Sequence, residues 1–263
     1  MMAITKSGIQ YLDMQAYVGI TKHIGGQEAS DELLALCHIE QARDVLNAGC
    51  GIGLTSAYVA GKYNCHVMGV DISEKMIAWS RQRAREKHVT GHVDFRVADI
   101  LNLPFETNRF DAVIVESVVA FVEDKPRALS ECIRVARPGG YVGLNESFFM
   151  QMPTPELAHL MQRTCGGVEP PLQATWQTLW DESGLEDRVV RICTSDARRE
   201  IRGRLQWIGW RWSLEAFARL GYLYLTRPEA RSSIRDQFGS SADSLETMRY
   251  GLFVGRKPET ARR

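Results

Sequence analysis

Several absences narrow this chain before any motif does. It has no surplus of either charge: 32 Lys+Arg stand against 32 Asp+Glu. Enzymes that work on polymeric nucleic acid ordinarily carry a basic surplus, so that substrate class is disfavoured. No apolar run is long enough to cross a bilayer; the most apolar stretch, 112–122, is broken by Glu116. The N-terminus lacks a basic region followed by an apolar core, so no signal peptide is expected and the expected compartment is the cytoplasm. The six cysteines (Cys37, Cys50, Cys65, Cys132, Cys165 and Cys193) form no C-x-x-C pair. They read as buried thiols in a reducing compartment, and no resident metal is expected. There is no repeat and no low-complexity segment. The 263 residues fit one large α/β domain or a domain with a substantial insertion.

What is present begins with residues 44–53, Asp-Val-Leu-Asn-Ala-Gly-Cys-Gly-Ile-Gly, followed by Asp71 at the end of the next apolar run. This is a strand that stops in a glycine-rich turn and restarts as a helix. Such a turn lets a ligand lie against bare backbone at a helix N-terminus. Asp71 falls where a ribose presents its two hydroxyls. The pair implies a nucleotide-like cofactor. A dinucleotide turn reads G-x-G-x-x-G; here Leu54 takes the slot of the third dinucleotide glycine, after Gly49, Gly51 and Gly53.

The rest of the chain alternates. Strands are expected at about 44–47, 66–70, 93–97, 110–115 and 140–145, with helices at about 54–62, from Ser73 onward, and at 126–135. Strands separated by helices imply a parallel sheet with right-handed crossovers. Ser73 is a good N-cap and Glu74 suits a first turn. Ahead of this, 10–22 and 27–39 read as two helices joined at His23-Ile24-Gly25-Gly26. Beyond Glu146 come helices at 155–163 and 176–182, a strand at 189–193, and a last strand at 249–255. Residues 196–245 between those strands read as a mostly helical insertion.

The glycine turn resembles motif I of the class I S-adenosylmethionine (SAM) dependent methyltransferases. The resemblance continues in order through 67–71 with its ribose acid, Ala98-Asp99-Ile100 as an adenine loop, 110–116 as the fourth strand, and Arg137-Pro138-Gly139-Gly140 as the turn into the fifth. It implies an α/β, Rossmann-like, seven-stranded, mostly parallel sheet with an antiparallel last strand, plus N-terminal helices and a helical lid insertion. The implied division is a cap of 1–43, a SAM-binding core of 44–195 and 246–257, and a substrate lid of 196–245. The implied cofactor is SAM, with S-adenosylhomocysteine as product. Its methionine carboxylate would meet the backbone of Gly49, Cys50, Gly51 and Gly53. Asp71 would accept both ribose hydroxyls. Asp99 would accept from the adenine amine, with Ile72, Met76 and Ile100 against the ring. Glu116 would lie near the methionine part. Cys50 has a packing role rather than a nucleophilic one. Asn47 departs from the family, which usually carries an acid there to help hold the cationic amino group.

No compact acid–base signature stands out. Glu146, after the fifth strand, and His23, in the glycine-flanked turn, are the candidate bases; each also reads as an ordinary strand-end acid or loop histidine. The insertion carries Trp207, Trp210, Trp212, Phe217, Tyr222 and Tyr224 with Arg198, Arg199, Arg202, Arg204 and Arg211. It reads as a lid burying its own apolar face, as an aromatic acceptor pocket, or as an amphipathic helix facing a membrane. No Asn-Pro-Pro-Tyr or Asp-Pro-Pro-Tyr run follows the fourth strand, which argues against nucleobase amines. Glu116 and Glu123 lack the context of an arginine-directed protein methyltransferase. The remaining resemblance is to small-molecule methyltransferases, including those of quinone biosynthesis, with an O, N, S or C acceptor atom. A lipid or quinone-like acceptor at a membrane surface, a non-catalytic SAM-binding protein, and a dinucleotide oxidoreductase stay open as alternatives; Leu54 argues against the last.

Overall fold

The computed structural model describes residues 4–5, 8–9, 11–21, 24–164, 168, 171–194, 197–239 and 248–259. Seven strands form the central sheet: β3 (Asp44–Ala48), β4 (His66–Asp71), β5 (Val93–Val97), β6 (Phe110–Glu116), β7 (Ala136–Phe149), β8 (Glu186–Thr194) and β9 (Met248–Arg256). Their order is β5-β4-β3-β6-β7-β9-β8. The pairs among β3 to β7 are parallel, and β9 runs antiparallel to both β7 and β8. The expected α/β sheet with an antiparallel last strand is therefore the observed one.

Alternation along the strands sorts the core into two layers. Val45, Val67, Ala112 and Ile114 face helices α2 (Gly26–Leu36), α3 (Leu54–Tyr63) and α4 (Glu74–Glu86). Leu46, Val70, Val113 and Val115 face α5 (Lys125–Val135) and α7 (Gln173–Asp181). On β7, Gly143 leaves room for α2: a Cβ there would lie 2.4 Å from Cys37 Sγ. Ser73 caps α4 as expected, accepting from Met76 N at 3.4 Å.

Helix bounds fall within a few residues of the sequence reading. Strand β7 differs most, because it spans 14 residues rather than the expected six. Its pairing with β6 jumps from Phe110↔Ala136 to Ala112↔Tyr141, so the expected turn at 137–140 is a bulge within the strand. At its far end Ser147, Phe148 and Phe149 keep pairing with β9. The sequence also gave no sign of a short antiparallel pair, β1 (Ile4–Thr5) with β2 (Gly8–Ile9).

Among the described residues of the insertion, three helices follow one another: α8 (Ala197–Ile208), α9 (Trp210–Thr226) and α10 (Ala230–Gly239). Helix α9 packs on α1 (Tyr11–Val18) through Ala216 and Leu223 against Met14 and Val18. A ladder of rings and guanidiniums ties both to α4. Arg83 stacks on Trp212 at 4.1 Å, Trp212 meets Trp79 edge-on at 5.6 Å, and Arg219 covers Trp79 at 4.6 Å. Trp212 Nε1 donates to Gly19 O at 2.6 Å and Arg219 Nε to Val18 O at 2.7 Å, so the ladder satisfies carbonyls at the C-terminus of α1. Burial lowers the Arg83 guanidinium to about 10; it stays charged at neutral pH and is held by the Trp212 face.

Candidate functional site

Strand order reverses between β3 and β6: β4 and β5 follow on one side of β3, β7 and the antiparallel pair on the other. In open α/β sheets, ligands bind at the carboxyl ends of the strands beside such a switch point. The glycine turn lies there, at the end of β3. Gly49, Gly51 and Gly53 all have positive φ (+79°, +54°, +71°), a region that L side chains avoid. Neighbouring groups close around the turn. An added Cβ would come within 2.1 Å of Val118 at Gly49, 2.8 Å of Thr21 at Gly51 and 2.9 Å of the Ser80 backbone at Gly53.

Asp71, at the end of β4, is the brace of the turn. Its Oδ2 accepts from Gly51 N at 2.9 Å and its Oδ1 from Ser73 N at 2.9 Å. Burial raises its pKa, and the two N–H bonds oppose that rise. Each oxygen keeps a second lone pair for a ligand hydroxyl. Ile72 beside it is 70% exposed, and Val97, its register partner's side chain on β5, is 43% exposed. Two apolar side chains left open next to a fixed carboxylate suit a flat heterocycle on a ribose. Asp99 is exposed in the following loop, and its Oδ1 accepts from Leu101 N at 2.9 Å. Ile100 and Met76 are buried. Met76 packs with Ile52, Leu54, Ile208 and Trp212 beneath the insertion.

Within the turn, most backbone donors are already engaged. Gly49 N and Cys50 N both donate to Val70 O, at 2.7 and 2.8 Å, Gly51 N to Asp71, and Gly53 N to Cys50 O at 2.9 Å. These four N–H groups hold the turn's shape. Cys50 is buried beside Ser80 Oγ at 3.7 Å, and burial pushes its thiol well up, with the charge of Asp71 adding to the rise. A thiol so suppressed packs rather than attacks.

Asn47 is buried and donates from Nδ2 to Ser56 Oγ at 3.0 Å. Beside it in the sheet stands a buried acid. Glu116 follows the Ala48↔Val115 pair at the end of β6. Its Oε2 accepts from Thr55 Oγ1 at 2.6 Å, in the first turn of α3, and its Oε1 accepts from Ser30 Oγ on α2. Thr21, Ser30, Thr55 and Val97 were not singled out from the sequence. Only Thr55, two residues past the last turn glycine, stood where a local signal could have marked it.

Glu146 is placed otherwise than expected. It lies inside β7, is fully buried, and accepts from Val118 N (2.9 Å), Val119 N (2.8 Å) and Ala120 N (3.1 Å). It caps the 3-10 turn Val119–Phe121 and so fixes Val118 against Gly49. Its pKa rises to about 7, chiefly through burial, with the three N–H bonds acting against the rise. All its visible bonds serve the fold, so it does not present itself to an acceptor. His23 lies outside the described residues.

A family described as a methyltransferase domain matches residues 46–144. The O-methyltransferase cnsE of Penicillium expansum is 30% identical over 185 residues, which cover 69% of this chain and 64% of that protein. Among solved structures, a SAM-dependent methyltransferase of Geobacter sulfurreducens with S-adenosylhomocysteine bound overlays with a TM-score of 0.69 at 18% identity, covering 96% of this chain and 99% of that one. The [4+2]-cyclase SpnF overlays with a TM-score of 0.70 at 20% identity, covering 94% and 93%. The chain spans less than two thirds of the length of the first curated relatives it matches: 66%, 36% and 24% of three of them. Residues 46–144 thus match a methyltransferase domain, in the stretch where the motif order placed one. The cyclase on the same fold is a reminder that the reaction resides in the site.

Proposed function

We propose that this chain is a SAM-dependent methyltransferase that modifies a small-molecule acceptor. The observation that carries the reading is Asp71: a half-buried carboxylate locked to Gly51 N and Ser73 N, with open lone pairs and exposed Ile72 and Val97 beside it. When bound, the cofactor supplies a methyl group on a sulfonium, open to in-line displacement. The chain supplies binding, alignment and exclusion of water. Asp71 would hold the ribose hydroxyls. Ile72, Val97 and Asp99 would hold the adenine. Glu116, fixed by Thr55 and Ser30, would carry the negative charge for the amino group that Asn47 does not provide.

Closure over the crevice is assigned to the N-terminal segment and the 196–245 insertion. Thr21 lies against Gly51, and Trp212 and Arg219 tie α9 to the segment just before it. Acceptor choice would rest with those segments, which lie outside the matched domain. The fully bonded Glu146 is assigned to positioning rather than to proton transfer.

Calorimetric titration with SAM and with S-adenosylhomocysteine tests the reading. Micromolar binding is expected. Asp71→Ala should weaken it at least tenfold, because a charge-assisted hydrogen bond is worth about 1.5–3 kcal/mol. Unchanged affinity in a folded variant would overturn the site. Screening small-molecule extracts for methyl transfer from labelled SAM then tests the activity itself.

A further inference from the structure

Helix α9 is apolar on two opposite sides. Trp212, Ala216 and Leu223 on one side are buried against α1 and α4. At about 100° per residue, Trp210, Leu214, Phe217, Gly221, Tyr224 and Leu225 fall within roughly a third of the circumference on the other. That outer stripe is open: Trp210 is 75% exposed, Leu214 60%, Phe217 57% and Leu225 74%. Gly221 meets nothing within 4 Å of where a Cβ would stand. A helix apolar on both faces is ordinarily covered on both, and a contiguous exposed apolar patch marks an interaction surface.

Charge selects what covers it. Residues 197–239 hold nine arginines and no lysine against four acids, a net of +5. The whole chain is neutral, so the remainder carries −5. A second copy docked through the same face would set +5 against +5, which disfavours an isologous dimer. An anionic partner is favoured instead. Arg202, Arg211, Arg227 and Arg235 are exposed on the same insertion. Arg211 follows Trp210, Arg227 lies just past Leu225, and Arg231 covers the Tyr224 ring at 5.5 Å; tryptophan and tyrosine beside arginine along an apolar stripe suit the boundary between lipid headgroups and acyl chains.

We propose that the outer face of α9 docks on an anionic lipid surface. Trp210, Leu214, Phe217 and Leu225 enter the headgroup–acyl boundary, and the insertion's arginines meet the phosphates. The inference concerns binding only and does not depend on the reaction at the donor site.

The test is co-sedimentation of the full chain with vesicles of phosphatidylcholine alone and of phosphatidylcholine mixed with phosphatidylglycerol. Binding to the mixed vesicles is expected, at least about tenfold stronger than to phosphatidylcholine and weakened by salt. Trp210→Ser with Leu214→Ser and Phe217→Ser should abolish it, with circular dichroism and SAM affinity unchanged. Arg202→Gln with Arg211→Gln, which leaves the stripe intact, should weaken binding to mixed vesicles by about tenfold or more. No binding to mixed vesicles, or full binding by either folded variant, would overturn the proposal. So would light scattering that shows a dimer converted to a monomer by the triple substitution, because the stripe would then be a self-association face.

Discussion

Gly49→Ala offers a quantitative test of how the donor turn is built. Two costs are readable. Gly49 has φ +79°, and an L residue in the left-handed region costs about 1–2 kcal/mol. The new Cβ would lie 2.1 Å from Val118 Cγ2 and 3.0 Å from Cγ1, and overpacking of this kind costs about 1–3 kcal/mol. Val118 has little room to retreat, because its N–H is held by Glu146 at 2.9 Å. The expected total is about 2–5 kcal/mol, read by urea unfolding. The two terms separate in a double-mutant cycle with Val118→Ala, which removes both Cγ atoms but not the backbone strain. The coupling should be favourable by about 1–3 kcal/mol, leaving a residual near the backbone cost. SAM affinity should fall in Gly49→Ala and recover in part in the pair. A cost below about 0.5 kcal/mol, or additivity of the two substitutions within that margin, would refute the packing argument.

Three further outcomes follow from the same geometry. Glu146 has a folded-state pKa raised to about 7, so its contribution is fully present below the unfolded carboxylate value and is lost as pH rises through 7; unfolding at pH 5 and pH 8 should show wild type losing up to about 3 kcal/mol relative to Glu146→Gln, and a pH-independent difference would contradict this. Glu116→Gln should weaken SAM binding several-fold, and adding Asn47→Asp should restore part of it, read by titration; no recovery in the folded double variant would mean the amino-group charge is not shared between these positions. Trp212→Ala removes a buried ring, the Gly19 hydrogen bond and the face on which Arg83 stacks. It should cost about 3–5 kcal/mol and raise amide exchange in residues 11–20 and 210–223, whereas unchanged exchange there would show that the ladder does not hold α9 against α1.

The core sheet was legible because its signals are local. Asp44–Ala48 and Val93–Val97 run apolar or alternate, and a glycine (Gly49) or an acid (Asp99) follows within two residues of each. Ser73 announces α4 by a cap that needs only its own turn. The far end of β7 was not legible, because what extends it is a partner: Ser147 to Phe149 are strand only by pairing with Tyr250, Arg249 and Met248, a hundred residues later in the chain. The short β1–β2 pair fails for the opposite reason, since two-residue strands carry no periodicity to read.

The site divides along the same line. Asp71 and the three turn glycines could be found because a strand, a turn and a helix start fix them in one stretch. The direction in which an acid points is a tertiary property. Glu116 and Glu146 both follow apolar runs and read alike, yet one reaches the hydroxyls of Thr55 and Ser30 at the crevice and the other turns inward to three backbone N–H groups. Strand register separates them. Glu116 ends β6 directly beside the turn, whereas Glu146 still has three residues of β7 beyond it and is enclosed by the neighbouring loop. Glu146 also serves Glu116: by pinning Val118 and Val119, it holds the segment that follows Glu116 and presses it against Gly49. A substitution at Glu146 should therefore change SAM affinity without touching the ligand, and should do so in step with stability, whereas one at Glu116 should change affinity more than stability.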